Sequence, residues 1–248
     1  MTHQIARVRH ELRRRSLRVL RVEYVTPAMR RVTLGGEDLE GFTSLGADDH
    51  VKLFLPGDDG AIAGRDYTPR SFDPAARELA IDFALHEAGP ATRWALQAEI
   101  GSCLEIGGPR GSLVIGDTFD WWLLIGDETA LPAMGRRVEE LGVRTRVLTL
   151  GIVADRQEEQ SWRTEAQHEA HWVYRPLERA DDPAPVLAAL ERIEWPEGDG
   201  FVWIAAETHV ARAVRAFVVE RRAHPTDWLR SSGYWKRGVA DAHETIEG

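Results

Sequence analysis

The stretch Gly116-Asp117-Thr118-Phe119-Asp120-Trp121-Trp122-Leu123-Leu124-Ile125-Gly126-Asp127-Glu128-Thr129-Ala130-Leu131-Pro132-Ala133 divides the chain. Trp121–Ile125 is an unbroken apolar run of strand length, the pattern of a strand buried on both faces. A short loop follows, and Pro132–Leu141 reads as a helix with Pro in its first turn and Gly142 at its end. The unit then repeats. Arg146–Ile152 and Trp172–Arg175 read as strands, Asp182–Arg192 as a helix, Phe201–Ala206 as a strand and Val210–Arg222 as a helix. Strands alternating with helices predict a parallel sheet in an α/β domain.

Upstream the punctuation differs. Val19–Val25 and Arg31–Leu34 flank Thr26-Pro27, a strand break. His50–Leu55 ends at Pro56-Gly57, and Asp58–Gly64 reads as a loop. Leu79–Leu85 alternates, with Leu79, Ile81, Phe83 and Leu85 on one face. A helix over Ala91–Ile100 follows Gly89-Pro90 and closes at Gly101. Cys103–Ile106 is a short strand ending at Gly107-Gly108-Pro109. Short strands at this spacing predict a barrel or sandwich. With the switch near Gly116–Asp120, the expected domains are a β-barrel over 1–116 and an α/β domain over 117–248.

The chain has 248 residues, 43% hydrophobic and 29% charged, an ordinary soluble globular balance. Its 31 basic and 40 acidic residues leave a net charge of -9, which disfavours general nucleic-acid binding but allows a local basic pocket. The single cysteine, Cys103, cannot form an internal disulfide, and its apolar strand makes it a core residue in this reading. No apolar run approaches the roughly 20 residues of a membrane span. The N-terminal arginines (Arg7, Arg9, Arg13, Arg14, Arg15, Arg18) precede no apolar signal region, so the arm reads as solvated or ligand-flanking. Asp155–Glu159 reads as a surface loop. A cytoplasmic monomer without a membrane span is expected.

Several signatures are absent: no G-x-G-x-x-G follows a strand, and no Walker A, G-x-S-x-G or C-x-x-C occurs. His168 and His171 lie three apart without a third ligand, so no metal site is expected. Three segments carry chemistry. In Arg65-Asp66-Tyr67-Thr68-Pro69-Arg70-Ser71-Phe72, alternation puts Arg65, Tyr67 and Pro69 on one side of an extended chain. There Arg65 can pair with a phosphate, Tyr67 can cover a flat ring, Thr68 can hydrogen-bond a ring nitrogen, and Arg70 can meet a second anion. His86-Glu87-Ala88-Gly89-Pro90-Ala91-Thr92-Arg93-Trp94 leads into a helix, whose free N–H groups and dipole suit an anion. Gly126–Ala133 sits at the carboxyl end of the sheet, where open α/β sheets bind ligands. Taken singly, each segment is equally a structural strand, helix start or loop.

Together the segments resemble the siderophore-interacting protein family of ferric-siderophore reductases, within the ferredoxin–NADP reductase-like superfamily. The marks are Arg-Asp-Tyr-Thr-Pro-Arg at 65–70, Leu-His-Glu-Ala-Gly-Pro-Ala-Thr-Arg-Trp-Ala at 85–95 and Gly-Gly-Pro-Arg-Gly-Ser at 107–112. Gly-Asp-Glu-Thr-Ala-Leu-Pro-Ala at 126–133 and Gly-Tyr-Trp-Lys-Arg-Gly at 233–238 complete them. The resemblance implies an antiparallel six-stranded Greek-key barrel that binds FAD, followed by a parallel-sheet domain that binds NAD(P)H. The FAD contacts it implies are Arg65, Tyr67, Thr68, Arg70, Phe83, His86, Gly89, Ala91, Thr92 and Trp94. It places Asp127, Glu128 and Thr129 between flavin and nicotinamide, and Tyr234 and Trp235 as closing residues. Tyr67, Thr68, Asp127 and Thr129 are the expected catalytic positions.

The implied reaction passes electrons from NADPH or NADH through the flavin to a ferric siderophore or other ferric chelate. Fe(II) is held less tightly than Fe(III) by hard oxygen donors, so reduction releases the metal. Such a substrate is often anionic, and Lys52, Arg136, Lys236 and Arg237 are the candidate cations for it. Arg212 and Arg215 are candidates for a nucleotide 2′-phosphate. The alternatives are a flavin reductase with another acceptor, such as a quinone, a ferredoxin-dependent reductase, and a flavin- or siderophore-binding protein without turnover.

Overall fold

The computed structural model describes residues 3–57, 60–86, 89–239, 242 and 244–246. It divides into two compact units, Met1–Gly116 and Asp117–Gly248. Unit 1 contains β1 (Ile5–Arg9), β2 (Arg14–Thr26), β3 (Met29–Gly35), β4 (Val51–Pro56), β5 (Ile62–Tyr67), β6 (Pro69–Asp73), β7 (Glu78–Ala84), α1 (Pro90–Gln97), β8 (Cys103–Gly107) and β9 (Gly111–Ile115). Seven strands form one antiparallel sheet in the order β5-β4-β8-β2-β3-β7-β6.

The two edge strands of that sheet, β5 and β6, are separated in sequence by Thr68 alone. The sheet therefore curls until its edges meet there, and β5 with β6 is one run broken at Thr68. Counted so, the curled sheet has the six strands of the expected barrel. Pro69 enforces the break: it has no N–H to extend a ladder, and it stands at the first position of β6, where a strand tolerates it. The alternation expected through Arg65, Tyr67 and Pro69 stops at this point, because Tyr67 pairs with Val51 on one edge and Pro69 with Ile81 on the other.

Leu17, Val32, Leu34, Leu53, Leu79, Ile81 and Phe83 fill the curl, and α1 closes it with Ala91 and Ala95. Leu79–Ala84 is buried on both faces rather than one. Three expectations for unit 1 need correction. The arginine arm, read as solvated or ligand-flanking, departs from that at Arg15, which is buried and donates to the Gly108 carbonyl at 3.0 Å, while Arg7, Arg9, Arg13, Arg14 and Arg18 are exposed and β1 pairs with β9 in a two-stranded ribbon. The loop read over Asp58–Gly64 already holds the start of β5 at Ile62. Cys103 is exposed, because Leu104 and Ile106 take the inward positions of β8 and leave Cys103 facing out.

Unit 2 contains β10 (Trp121–Asp127), α2 (Leu131–Glu140), β11 (Arg146–Val153), β12 (Gln167–Tyr174), α3 (Ala184–Arg192), β13 (Gly200–Glu207), α4 (Thr208–Ala216), β14 (Leu229–Trp235) and β15 (Glu244–Thr245). The sheet order is β12-β11-β10-β13-β14-β15, parallel except for β15. β10 and β13 are buried along their whole length, and α3 and α4 pack on the face formed by Leu123, Ile125, Leu148, Val202 and Ile204. Gly126 lets α2 lie close on the other face, since a Cβ there would meet Ala130 Cβ at 2.5 Å. The order reverses between β10 and β13, a switch point of the kind beside which open α/β sheets take ligands at the carboxyl ends of their strands. Asp155–Glu159 is less exposed than expected: it forms a 3-10 turn over Arg156–Glu158 with Glu158 buried. Among the described residues, no helix is long and apolar enough to cross a membrane.

Candidate functional site

In unit 1 the break at Thr68 gathers one set of groups. Thr68 and Arg70 are buried. The Tyr67 ring lies 4.6 Å from Phe83, and Phe83 lies 5.6 Å from Trp94 of α1, so three rings run from the end of β5 to the helix. Burial pushes the Tyr67 phenol above its ordinary value, against the pull of Arg65, and it stays neutral. Arg70 lies 3.8 Å from Asp82, whose carboxylate is also gripped by Arg31 at 2.6 and 2.7 Å. Asp82, which sequence reasoning missed, thus stands beside the buried Arg70 cation on the face of β7 opposite Ile81 and Phe83.

α1 supplies the other half. Its N-cap Gly89 offers no side chain, Pro90 stands in the first turn, and no acidic residue is present there. Among the described residues, the N–H groups after it carry the helix's positive end with no side-chain cap from Gly89 and no acidic residue in the first turn. Ala91 and Thr92 are buried, and His86 is exposed just past β7. Glu87 and Ala88 of the same motif lie outside the described residues. The Arg65 guanidinium lies near enough to act on the Tyr67 phenol and donates to the Gly64 carbonyl at 2.6 Å.

This set fits FAD by its chemistry. Tyr67 and Trp94, half-buried against the fully buried Phe83, could meet a flat ring, the helix start and the Arg70 cation could hold a pyrophosphate, and Thr68 brings a hydroxyl next to Tyr67 in the chain.

In unit 2 the switch point is built on Asp127, the last residue of β10. Its carboxylate is buried and accepts four hydrogen bonds: from Thr129 N (3.0 Å) and Oγ1 (2.6 Å), from Glu207 N (2.8 Å) and from Trp235 Nε1 (2.8 Å). Beside it Glu128 makes a two-pronged pair with Arg175 at 2.7 and 2.7 Å. Burial raises the Glu128 carboxyl, against the pull of Arg175. Glu207 caps α4 by accepting from His209 N and Val210 N, and it also accepts from Arg237 N. A narrow crevice beneath is lined by Asp127, Ile152, Val173, Arg175, Asp182 and Ala206. Arg175 and Glu207 were not expected here. A carboxylate just ahead of a helix start is the cue for Glu207, whereas nothing local marks Arg175.

Three of the four candidate cations already have acidic partners. Lys52 pairs with Asp66 at 3.0 Å, and Arg136 with Glu140 at 2.7 Å. Arg237 donates to Asp181 at 2.8 Å and to the Glu178 carbonyl, while Lys236 is exposed. Arg212 pairs with Glu244 at 2.7 Å. His168 bonds Thr149, and His171 pairs with Glu169.

A curled antiparallel sheet, followed in the chain by a doubly wound, mostly parallel sheet, is the fold shared with the solved FAD/NAD binding domain of nitric oxide dioxygenase from Vibrio cholerae, at a TM-score of 0.67 and 10% identity. The sequence pattern described as "Siderophore-interacting protein" matches residues 119–238, and that described as "Siderophore-interacting FAD-binding domain" matches 18–64 and 59–113. The chain belongs to the siderophore-interacting protein family. It is 37% identical over 251 residues to the NADPH-dependent ferric-chelate reductase of Escherichia coli (strain K12), covering 92% of this chain and 95% of that protein. It is 30% identical over 260 residues to the ferric vibriobactin reductase of Vibrio cholerae, covering 96% and 93%. The solved structure of a siderophore utilization protein from T. fusca superposes with a TM-score of 0.90 at 36% identity, over 96% of this chain and 98% of that one.

Proposed function

We propose that the protein is an FAD-dependent ferric-siderophore reductase that takes electrons from NADPH or NADH. Unit 1 is the FAD-binding domain and unit 2 the nicotinamide-binding domain. The observation that carries this reading is the junction at Thr68, where the two sheet edges meet between Tyr67, whose ring leads through Phe83 to Trp94 of α1, and the buried Arg70 beside Asp82. The names of the two reductases above support the iron acceptor.

The residues divide the work. Tyr67 and Trp94, backed by the buried Phe83, give aromatic surface that excludes water from a ring system. Thr68 orients it by a hydrogen bond. Arg70 and the first turn of α1 neutralise a pyrophosphate. The chemistry that FAD supplies when bound is the conversion of a two-electron hydride donor into the single electrons a ferric ion accepts. No protein acid or base is required, which agrees with Asp127 having every acceptor position filled. Lys52, Arg136, Lys236 and Arg237 are the cations available to an anionic ferric chelate, on exchange of their present partners.

The test is the visible spectrum of the purified protein before and after anaerobic NADPH, followed by a ferric chelate. Flavin bands that bleach with NADPH and return on adding the chelate establish the function. Bands that persist with NADPH and NADH remove the nicotinamide donor. Protein that takes up no flavin when FAD is added overturns the proposal.

A further inference from the structure

Trp235 is held in an unusual way for a half-buried side chain at a strand end. The β13–β14 ladder slips between Ala206 and Glu207: Ala206 pairs with Gly233, but Glu207 pairs with Trp235, leaving Tyr234 as an extra residue. Such a bulge re-aims the side chain that follows it. Gly233 makes room, since a Cβ there would meet Thr208 Oγ1 at 2.4 Å. Thr208 Oγ1 then donates to the Trp235 carbonyl at 3.0 Å, fixing the peptide. The indole N–H reaches past β13 to Asp127 Oδ2 at 2.8 Å, two strands away. Asp127 cannot swing, because Glu207 N and both Thr129 donors hold it.

We infer that Asp127 is a positioning residue, which holds the Trp235 indole at the switch point as a fixed plate for the nicotinamide ring of the electron donor. This rests on the nicotinamide reading proposed above. An indole whose N–H is already bonded loses no hydrogen bond when a ring covers it, and a locked side chain loses little freedom on binding. Both effects favour stacking of a flat ring, at the position where open α/β sheets take their ligands. Asp127 therefore acts through Trp235 rather than on the donor itself.

The test uses flavin-loaded, 15N-labelled protein. Among its nine tryptophans, the indole signal lost in Trp235→Phe is that of Trp235. In the wild type that signal is protected from exchange and moves on titration with nicotinamide mononucleotide. Asp127→Asn abolishes the protection and raises KM for the nicotinamide donor about tenfold, with a smaller change in kcat. In the Trp235→Phe background, Asp127→Asn raises KM less than twofold, because the plate it serves has changed. A purely structural Asp127 would give multiplying effects on KM, and that result overturns the inference. So does a Trp235 signal that moves with 2′,5′-ADP but not with the mononucleotide, which assigns the plate to adenine. If Asp127→Asn does not fold, Trp235→Phe alone decides, since it leaves the other three donors to Asp127 in place. An unchanged KM in that variant sinks the plate. Flavin that bleaches with a nicotinamide while the Trp235 signal stays still sinks the plate alone, whereas flavin that no nicotinamide bleaches sinks both readings.

Discussion

Asp82 and its two arginines show how a binding residue and a structural one differ within a single cluster. Its carboxylate is 1% exposed, and Arg31, at 25%, grips it with two short bonds, while Arg70, at 6%, stands off at 3.8 Å. Removing one partner of a buried ion pair costs several kcal/mol, because the other charge is left uncompensated. Arg31→Met is therefore expected to destabilise unit 1 by about 3 kcal/mol, read by urea denaturation. Arg70→Met leaves the Arg31 pair intact and is expected to cost about 1 kcal/mol or less, yet to weaken FAD binding at least tenfold in a flavin titration. Equal losses of stability in the two variants would contradict this division. Arg70, Thr68 and Tyr67 were legible in the sequence because one short motif carries them. Asp82 was not, since it reads as one outward position of an alternating strand and its partners lie 12 and 51 residues away in the chain, at Arg70 and Arg31.

At the scale of elements, legibility followed burial. β10, β11 and β13 are buried along most of their length and mostly apolar, and their runs read as strands, that of β10 as a buried one. β1 and β9 did not, because a two-stranded ribbon with Arg7 and Arg9 outward and glycine at one end shows no core-facing alternation. Gly111 is the residue that lets the ribbon close: a Cβ there would meet the Val8 carbonyl at 2.5 Å and Arg9 Cα at 3.4 Å. Backbone cannot yield as a side-chain tip can. Gly111→Ala is thus expected to lift β1 away, costing about 1–2 kcal/mol. Amides of Ile5–Arg9 should then exchange with solvent while those of β2, β3 and β7 stay protected. Uniform loss of protection across unit 1 would show instead that the ribbon is part of its cooperative core.

Across the whole molecule the two units hold separate cores, so thermal unfolding is expected to depart from a single two-state transition. A ligand that binds only the native form of one unit stabilises that unit, by about 2.7 kcal/mol at a hundredfold excess over its Kd. Excess FAD should raise the Tm of one calorimetric transition, and Arg70→Met should reduce that shift. The other transition should answer to pH. In unit 2, burial lowers the affinity of His168 and His224 for a proton, and the Trp228 carbonyl only partly opposes this at His224. A depressed histidine stabilises the fold fully above its unfolded value of about 6.5, and that contribution is lost as pH falls below it. Glu128 in the same unit is raised by burial and has the opposite sign, gaining stability as pH falls through its folded value. The histidine share is therefore best isolated by comparison with His224→Gln. Between pH 7.5 and 5.5 the unit 2 transition of that variant should drop less than the wild type's. An identical drop would remove His224 from the pH response, and an FAD shift shared equally by both transitions would show the two units unfolding as one.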